Sequence, residues 1–373
     1  MPLILIWMSQ TPLRRLEHSD FLAWEKRVVQ RTVWFGYGLA MMALVGVPAA
    51  QAQDTLDEQL RQPVNRELIQ QQRDVADQLL RLGERQASQE DYQSALRAWS
   101  RSAEIYYEIG DSASMERTYG NIGRAYAQLG DYSRSETAVR RQLAIARDNQ
   151  NFSTQIFAWN TLGSLRLQQG AVASATQAYE EALNIAVSIQ NADGIGLSMS
   201  NLGLLAAARG DYAAAIDYFE DAGNYRIQAG NLVGRANTSN NLGDVYLAQG
   251  QQGKAIGAYR LGLSYGRDSN DLTAKLHAID GLIDVYSERS DWSQVRHYLD
   301  ERMALTLDGD SDWGRLITFK RLGEFYEATG DLTSAQVRYE QAYELANLLD
   351  ETTLRAELFN RLLTFQGRQD SRD

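Results

Sequence analysis

A glycine recurs every forty residues along most of this 373-residue chain. A leucine or an isoleucine precedes each of these repeat glycines, and Ile283 takes the place of one of them. The repeat glycines are Gly83, Gly123, Gly163, Gly203, Gly243 and Gly323. Self-similarity at a fixed period indicates an array built from one supersecondary unit. Because no insertion shifts the register between residues 82 and 362, the array is predicted to be continuous.

Each forty-residue unit has the pattern of two amphipathic helices. Apolar residues recur four before, one before and three after the repeat glycine, which places them on one helical face. A second glycine follows seven residues later, often with an aspartate after it, as in Gly130-Asp131 and Gly210-Asp211. Glycine tolerates positive φ where a helix ends, and aspartate caps the next helix. One such hairpin cannot bury its own apolar face, so neighbouring units must stack.

Proline is absent from the roughly 310 residues after Pro63. Average usage would place about fifteen prolines in a segment of that length. Since proline breaks helices, its absence favours a continuous all-helical architecture.

The order of residues within one unit resembles the tetratricopeptide repeat: Leu-Gly comes first, then Tyr, then Gly-Asp-Tyr, then Ala and an aromatic residue. The resemblance covers residues 76–365, and the forty-residue period resembles the repeats of spindle-orientation adaptors and kinesin light chains. It implies an all-α fold, a right-handed solenoid of about seven helix hairpins. The helix predicted at 353–366 caps the C-terminus. The resemblance also implies a concave surface, formed by the first helix of each pair, that binds peptide segments of partner proteins.

The unit at residues 281–320 departs from the pattern. Ile283, Ser290, Val295 and Arg302 stand where the other units have glycine or small residues. Larger side chains at a close helix contact should widen the spacing. We therefore expect a bend or a loosened joint in this unit.

The N-terminal region has the pattern of a secretory signal peptide. An uncharged apolar run at 32–47 follows basic residues and precedes Ala50-Gln51-Ala52, a small-x-small cleavage site. The sequence predicts export to the periplasm or an equivalent space, with a membrane anchor at 32–50 as the alternative. The predicted segments are a leader at 1–52, a linker at 53–64, the solenoid at 65–366 and a disordered tail at 367–373.

Composition excludes several function classes. The chain has no cysteine and three histidines, which rules out disulfides, thiolate metal sites and a cysteine nucleophile. Its net charge is −11, and without residues 1–52 it is −13. An acidic body disfavours nucleic-acid binding, which needs clustered cations. No nucleophile–base pair or metal-ligand spacing is recognisable, so no enzyme activity, metal or cofactor is predicted.

The stretch "NTSNNLG" at 237–243 raises the question of a ligand, because such residues are poor helix formers. Amide side chains both donate and accept hydrogen bonds, so a row of asparagines on the concave wall could bind the main chain of a peptide. Alternatively, Asn201 and Asn241, in adjacent repeats, bond each other or neighbouring backbone. The candidate groove residues are Arg117, Arg124, Phe157, Asn160, Leu197, Asn201, Leu204, Asn237, Asn240, Asn241, Asp244, Asp280 and Asp284.

The chemistry of this predicted groove changes along its length. Arginines dominate the early end, apolar residues the middle and carboxylates the later end. This gradient predicts an oriented ligand whose basic part lies near Asp280 and Asp284. The apolar middle could instead be a contact across a tight superhelix or between two copies of the chain.

The sequence thus predicts an exported, non-enzymatic scaffold that binds a protein or peptide in its groove, as an assembly or docking factor. The alternative is a peptide-responsive regulator that acts through a partner. A homo-oligomer is possible in either case, and a membrane is involved only through a retained anchor.

Overall fold

The computed structural model describes residues 66–307 and 311–369, and this part of the chain consists of helices without strands. The helices are α1 (Arg66–Ser88), α2 (Tyr92–Ile109), α3 (Ser112–Gln128), α4 (Tyr132–Asp148), α5 (Phe152–Gln168), α6 (Val172–Ser188), α7 (Ala192–Ala208), α8 (Tyr212–Gln228), α9 (Leu232–Ala248), α10 (Gln252–Asp268), α11 (Leu272–Glu288), α12 (Trp292–Leu307), α13 (Asp312–Ala328), α14 (Leu332–Leu348) and α15 (Thr352–Gln369).

The segments predicted as leader, linker and anchor lie outside the described residues. The solenoid prediction is confirmed in its main features: seven consecutive helix pairs precede α15. The last helix continues to Gln369, inside the range 367–373 that the sequence analysis assigned to a disordered tail. Residues 370–373 lie outside the described part.

Contacts divide the chain into two units, residues 1–145 and 146–373. In the first unit α1 packs on α2, and α2 packs on α3. In the second unit every helix from α5 to α14 packs on the helix that follows it. The first helices also contact one another: α5 contacts α7, α7 contacts α9, and α9 contacts α11. Each unit is therefore a stack of hairpins, with first helices side by side in the second unit.

The turns inside the hairpins have the predicted geometry. Gly130 and Gly210 adopt φ values of 73° and 80°, the left-handed region in which glycine has no steric penalty. The carboxylate of Asp131 accepts a hydrogen bond from the backbone N–H of Arg134 at 3.0 Å, and Asp211 caps α8 in the same way. The glycine–aspartate signal thus ends one helix and starts the next, as expected.

A second row of caps recurs every forty residues at the turns between hairpins. In each case a side-chain oxygen accepts a hydrogen bond from the backbone N–H three residues later, which satisfies one free donor at the helix start. The capping residues of the first helices are Asp111, Asn151, Asn191, Asn231, Asp271 and Ser311. This second capping signal was not among the sequence predictions, although its forty-residue spacing is visible in the sequence.

The core of most hairpins is an aromatic ring packed on a repeat glycine, whereas Val139 takes the place of the ring at Gly123. A Cβ on Gly163 would overlap the ring of Tyr179, sixteen residues later, and Gly203 stands in the same relation to Phe219. Both rings are fully buried. The bare glycine backbone therefore lets the two helices approach closely enough to bury an entire ring.

The unit at 281–320 keeps a filled core despite its larger residues. Ile283, Val295 and Leu299 are all buried. Ser290 occupies the turn position that is glycine in most other units, and it adopts φ of 55°. Arg302 is buried as well, and its partners are described below. Three of the four residues that led us to expect loosening, Ile283, Val295 and Arg302, are thus enclosed, while Ser290 is exposed. α11 and α12 nevertheless pack less closely on each other than the two helices of the hairpin α9–α10 do, as the larger residues predicted.

None of the helices in the described ranges combines the length and the hydropathy that crossing a membrane would require.

We predict that Gly163→Ala lowers the free energy of unfolding by about 1–3 kcal/mol, because the new methyl group must displace the buried Tyr179 ring. Gly253→Ala in α10 is the matched control, since a Cβ there meets nothing within 4 Å. It should raise stability by up to about 1 kcal/mol through helix propensity. Chemical denaturation measures both values, and equal effects would contradict the packing argument.

Candidate functional site

One exposed surface runs across the first helices of the second unit. Its residues lie six positions before and one position after each repeat glycine, or after Ile283 where it replaces the glycine. Positions seven residues apart lie on the same side of a helix, so these residues share one side of their helices. We call this surface the first-helix face. All of its members are partly or largely exposed: Phe157, Ser164, Leu197, Leu204, Asn237, Asp244, His277, Asp284, Ile317 and Glu324.

The end of the first-helix face on α5 and α7 is apolar. Phe157 is 50% exposed, a large fraction for a phenylalanine on a helix of a packed array. Leu197 and Leu204 on the neighbouring α7 are partly exposed. These three predicted groove residues therefore lie on adjacent helices of one surface and remain accessible.

Behind this face, polar side chains join neighbouring first helices. Asn160 on α5 donates through Nδ2 to the Ser198 hydroxyl of α7 at 3.0 Å, and its Oδ1 accepts from Asn201 Nδ2 at 2.8 Å. The Ser200 hydroxyl of α7 lies 3.1 Å from that of Thr238 on α9. These inter-repeat hydrogen bonds are mostly buried, where a paired polar group fixes the register of two helices.

The stretch "NTSNNLG" belongs to the same system of inter-repeat hydrogen bonds. Asn240 is fully buried and donates through Nδ2 to the backbone oxygen of Ala274 on α11 at 2.9 Å. The Ser239 hydroxyl bonds to the backbone oxygen of Arg235 within its own helix. Asn237 is exposed and Asn241 is partly exposed. Within this row, Thr238 joins α9 to α7 and Asn240 joins α9 to α11.

Two candidate groove residues are therefore corrected. Asn160 and Asn240 are 4% and 0% exposed, and their amides bond to the adjacent repeat. A ligand on the surface cannot reach them without breaking these bonds. The alternative paired Asn201 with Asn241, but Asn201 donates to Asn160 of the other adjacent repeat. Asn201, Asn237 and Asn241 remain accessible in part.

Asp280, whose side chain is 25% exposed, forms an ion pair with a buried arginine. Arg302, itself 3% exposed, donates through Nε and Nη2 to the two carboxylate oxygens at 2.8 and 3.1 Å. Arg321 of α13 adds a contact at 3.1 Å. Burial would raise the pKa of Asp280, but the two guanidinium charges outweigh it and lower the pKa. Asp280 is thus a structural residue linking α11, α12 and α13, which corrects its assignment to ligand binding.

Asp284 and Asp244 differ from Asp280 in their exposure. The Asp284 side chain is 43% exposed and pairs with Arg321 at 2.5 Å. Burial raises its pKa above the usual value despite that guanidinium. Asp244 is 44% exposed and accepts hydrogen bonds from the Tyr259 hydroxyl at 2.7 Å and from His277 Nε2 at 3.0 Å. Together with Glu324, these two carboxylates are the accessible acidic part of the first-helix face.

His277 connects the acidic groups of two first helices. Burial alone would lower its pKa, but the hydrogen bond to Asp244 and the charges of Asp244 and Asp280 raise it instead. The protonated ring is therefore favoured beside Asp244.

The predicted residues Arg117 and Arg124 lie on α3 in the first unit, and both are exposed. Arg124 donates to the side-chain oxygen of Asn121, one turn earlier, at 2.5 Å. Across the described ranges, no three histidine or carboxylate side chains come together in a way that could hold a metal ion.

The tetratricopeptide repeat profile matches residues 118–151 and 154–223. The chain is a tetratricopeptide repeat protein. The matched segments lie within α3 to α8, where repeat glycines and turn glycines alternate. No curated protein sequence matches the chain.

Solved structures with the same fold include BtubC from P. vanneervenii. The match covers 60% of this chain and 91% of BtubC, at 20% sequence identity and a TM-score of 0.52. The apo form of RapI covers 74% of this chain and 99% of its own, at 13% identity and a TM-score of 0.54. The Rap conjugation gene regulator of plasmid pLS20, in complex with a Phr peptide, covers 74% of each chain at 20% identity and a TM-score of 0.50. At these identities the similarity shows the fold alone.

We predict that Arg302→Met lowers the free energy of unfolding by about 3 kcal/mol, because it leaves the carboxylate of Asp280 with Arg321 as its remaining counter-charge. The double variant Arg302→Met with Asp280→Asn should recover part of that loss, which a double-mutant cycle from denaturant melts will measure. An Arg302→Met protein as stable as the wild type would contradict the structural role of the pair.

A second prediction concerns the pH dependence of stability. Because folding raises the pKa of His277, the protonated ring stabilises the fold at pH values below the ordinary histidine pKa of 6.5. This contribution is lost as the pH rises through the raised pKa. The destabilisation caused by His277→Gln should therefore be largest near pH 5 and shrink towards about pH 9 in denaturant melts. In an Asp244→Asn background that pH dependence should be smaller, and an unchanged profile would show that Asp244 is not its source.

Proposed function

We propose that this protein is a non-enzymatic scaffold whose first-helix face binds a peptide or a segment of a partner protein. The observation that carries the proposal is the accessible apolar group of Phe157, Leu197 and Leu204 on two neighbouring first helices. Large apolar side chains left accessible as a group commonly mark binding surfaces. The tetratricopeptide fold provides the rigid frame that such a surface needs.

The residues next to the apolar group fit the main chain of an extended ligand. Asn237 and Asn241 are accessible on α9, and their amides can both donate and accept. Beyond them, the carboxylates of Asp244 and Asp284 suit a basic side chain. We therefore propose a ligand with an apolar part on α5 and α7 and a basic part near α9 and α11. Asp280 has no part in this contact, since Arg302 occupies its carboxylate.

A second candidate is a peptide-responsive regulator that acts through a partner protein. The observation that favours it is the similarity of fold to the Rap conjugation gene regulator, which was solved with a bound peptide. Both candidates use the same face. They differ in whether peptide binding changes the affinity for a second protein, which is an equilibrium coupling that can be measured.

We also propose that the protein works after export. The support is the apolar run at 32–47 with basic residues before it and Ala50-Gln51-Ala52 after it. The first residue of the mature protein in an extracytoplasmic fraction tests this. We expect Gln53, whereas recovery of the chain with its N-terminal 52 residues from the membrane fraction would support the anchor.

The binding proposal is tested with a library of linear peptides displayed on phage and selected on the purified protein. Selected peptides should pair an apolar residue with a basic one, and their Kd values follow from fluorescence anisotropy. Phe157→Ala should raise Kd by at least about tenfold, because truncation removes the largest accessible apolar contact. Leu204→Ala should weaken binding in the same direction.

The matched control is Val187→Ala on the second helix α6, where the side chain is 53% exposed but lies outside the first-helix face. Its Kd should equal that of the wild type. Replacing the basic residue of a selected peptide by glutamine should also weaken binding, and an unchanged Kd would refute the proposed orientation. A protein that selects no peptides, or whose peptides bind Phe157→Ala equally well, refutes the proposal.

A further inference from the structure

The carboxylates at the acidic end of the first helices differ in the groups that neutralise them. Several of them pair with arginine or lysine side chains, which keep their charge throughout the pH range from about 5 to about 9. These pairs are Asp280 with Arg302 and Arg321, Asp284 with Arg321, and Glu324 with Lys320. A basic residue of a ligand therefore meets carboxylates there whose charge is already compensated within the protein.

Asp244 on α9 has partners of another kind. It accepts a hydrogen bond from the Tyr259 hydroxyl at 2.7 Å, and Nε2 of His277 lies 3.0 and 3.2 Å from its two oxygens. The Asp244 and His277 side chains are 44% and 38% exposed, so a ligand can reach both. Histidine changes its charge near neutral pH, unlike arginine and lysine. The compensation of Asp244 therefore depends on pH, whereas that of Asp284 and Glu324 does not.

The surroundings of His277 favour the protonated ring. Burial lowers its pKa, but the hydrogen bond to Asp244 and the charges of Asp244 and Asp280 raise it overall. Charged and titratable side chains reach this region from α11 itself and from the helices around it: Asp244 (α9), Tyr259 (α10), Asp280 and Asp284 (α11), Arg302 (α12), and Lys320, Arg321 and Glu324 (α13). The arginines among them bond to Asp280 and Asp284, so Asp244 has the protonated His277 as its cationic partner.

We propose that Asp244 receives the basic residue of the ligand and that His277 competes with this residue for the same carboxylate. The inference rests on the proposed function, in which a basic part of the ligand lies near α9 and α11. A neutral His277 leaves the charge of Asp244 to the ligand. A protonated His277 neutralises that charge and repels the cation of the ligand. The protein therefore binds its ligand more tightly above about pH 8 than near about pH 6.

Glu288 provides an alternative position for the basic residue. It is exposed at the end of α11 and accepts a hydrogen bond from the amide of Gln252 at 3.1 Å. It follows His277 by about three helical turns, so the charge of the imidazole has little effect on a ligand bound there. Binding at Glu288 is therefore insensitive to the protonation of His277, and an experiment can distinguish the two positions.

The test uses an N-terminally acetylated peptide from the phage selection that contains an apolar residue and an arginine but no histidine, so that its own charge is constant. Fluorescence anisotropy gives its Kd at about pH 6 and about pH 8.5. The wild-type Kd should be about fivefold higher at the lower pH, the size of effect expected for one accessible ion pair. A peptide with glutamine in place of the arginine should lose this difference.

Variants of the two partners should remove the pH dependence in different ways. His277→Gln should bind equally well at both pH values, with a Kd close to that of the wild type at the higher pH. Asp244→Asn should also be insensitive to pH, but with weaker binding throughout. The matched control is His297→Gln, an exposed histidine on the second helix α12, and it should retain the wild-type pH dependence, as should Glu288→Gln. Circular dichroism at both pH values verifies that each variant is folded.

Ligand binding must in turn act on the histidine, because the coupling of two equilibria is reciprocal. Saturation with the peptide should lower the pKa of His277, which an NMR titration of its ring signals measures. The ring signals of His297 should stay unchanged and serve as the internal reference.

The outcomes separate this inference from the proposed function. A peptide that depends on Phe157 but binds the wild type equally well at both pH values overturns the competition and leaves the proposed function intact. The same conclusion follows if the pH dependence persists in His277→Gln or disappears in Glu288→Gln. Failure to select any peptide, or binding indifferent to Phe157→Ala, refutes the proposed function and this inference with it.

Discussion

The packing of a large side chain on a bare glycine, sixteen residues apart, is the contact on which most of the hairpins depend, and in most of them this side chain is an aromatic ring. It brings two helices close enough to bury a whole side chain, as Gly163 does with Tyr179 and Gly243 with Tyr259. The helices of a hairpin are about 17 residues long and have little stability in isolation. Burial of the ring and stacking of the next hairpin supply what helix propensity cannot.

Repetition of that contact determines which side chains remain for function. Because every second helix covers one side of its first helix, the other side of the first helices forms a continuous row in the second unit. Asn160, Asn240 and Asp280 point from this row into the joints between repeats and are bonded there. What remains accessible is a surface that changes from apolar at Phe157 to acidic at Asp284. A scaffold that recognises one segment in one direction requires such an asymmetric surface.

The unit containing Arg302 shows how a repeat tolerates the loss of its small residues. Ile283 fills the space of the repeat glycine, and a buried guanidinium bonds to Asp280, Gly314 and Thr318 on two neighbouring helices. Hydrogen bonds replace close backbone contact as the means of holding successive repeats in register. Such a joint is specific, because removal of Asp280 leaves the buried guanidinium of Arg302 without its carboxylate partner.

The sequence by itself determined the helices, their turns and their order. Forty-residue spacing, positive-φ glycines and aspartate caps are local or periodic signals, so they can be read without coordinates. The same reading placed Phe157, Leu204 and Asp244 on the equivalent side of their three helices, because positions seven residues apart lie on the same side of a helix. Only the tertiary structure decided which polar residues are accessible. Asn237 and Asn240 have the same chemistry and lie three residues apart. Asn237 is exposed and Asn240 is fully buried. The next hairpin along the chain packs against one side of α9, where it covers Asn240, and leaves the side with Asn237 open.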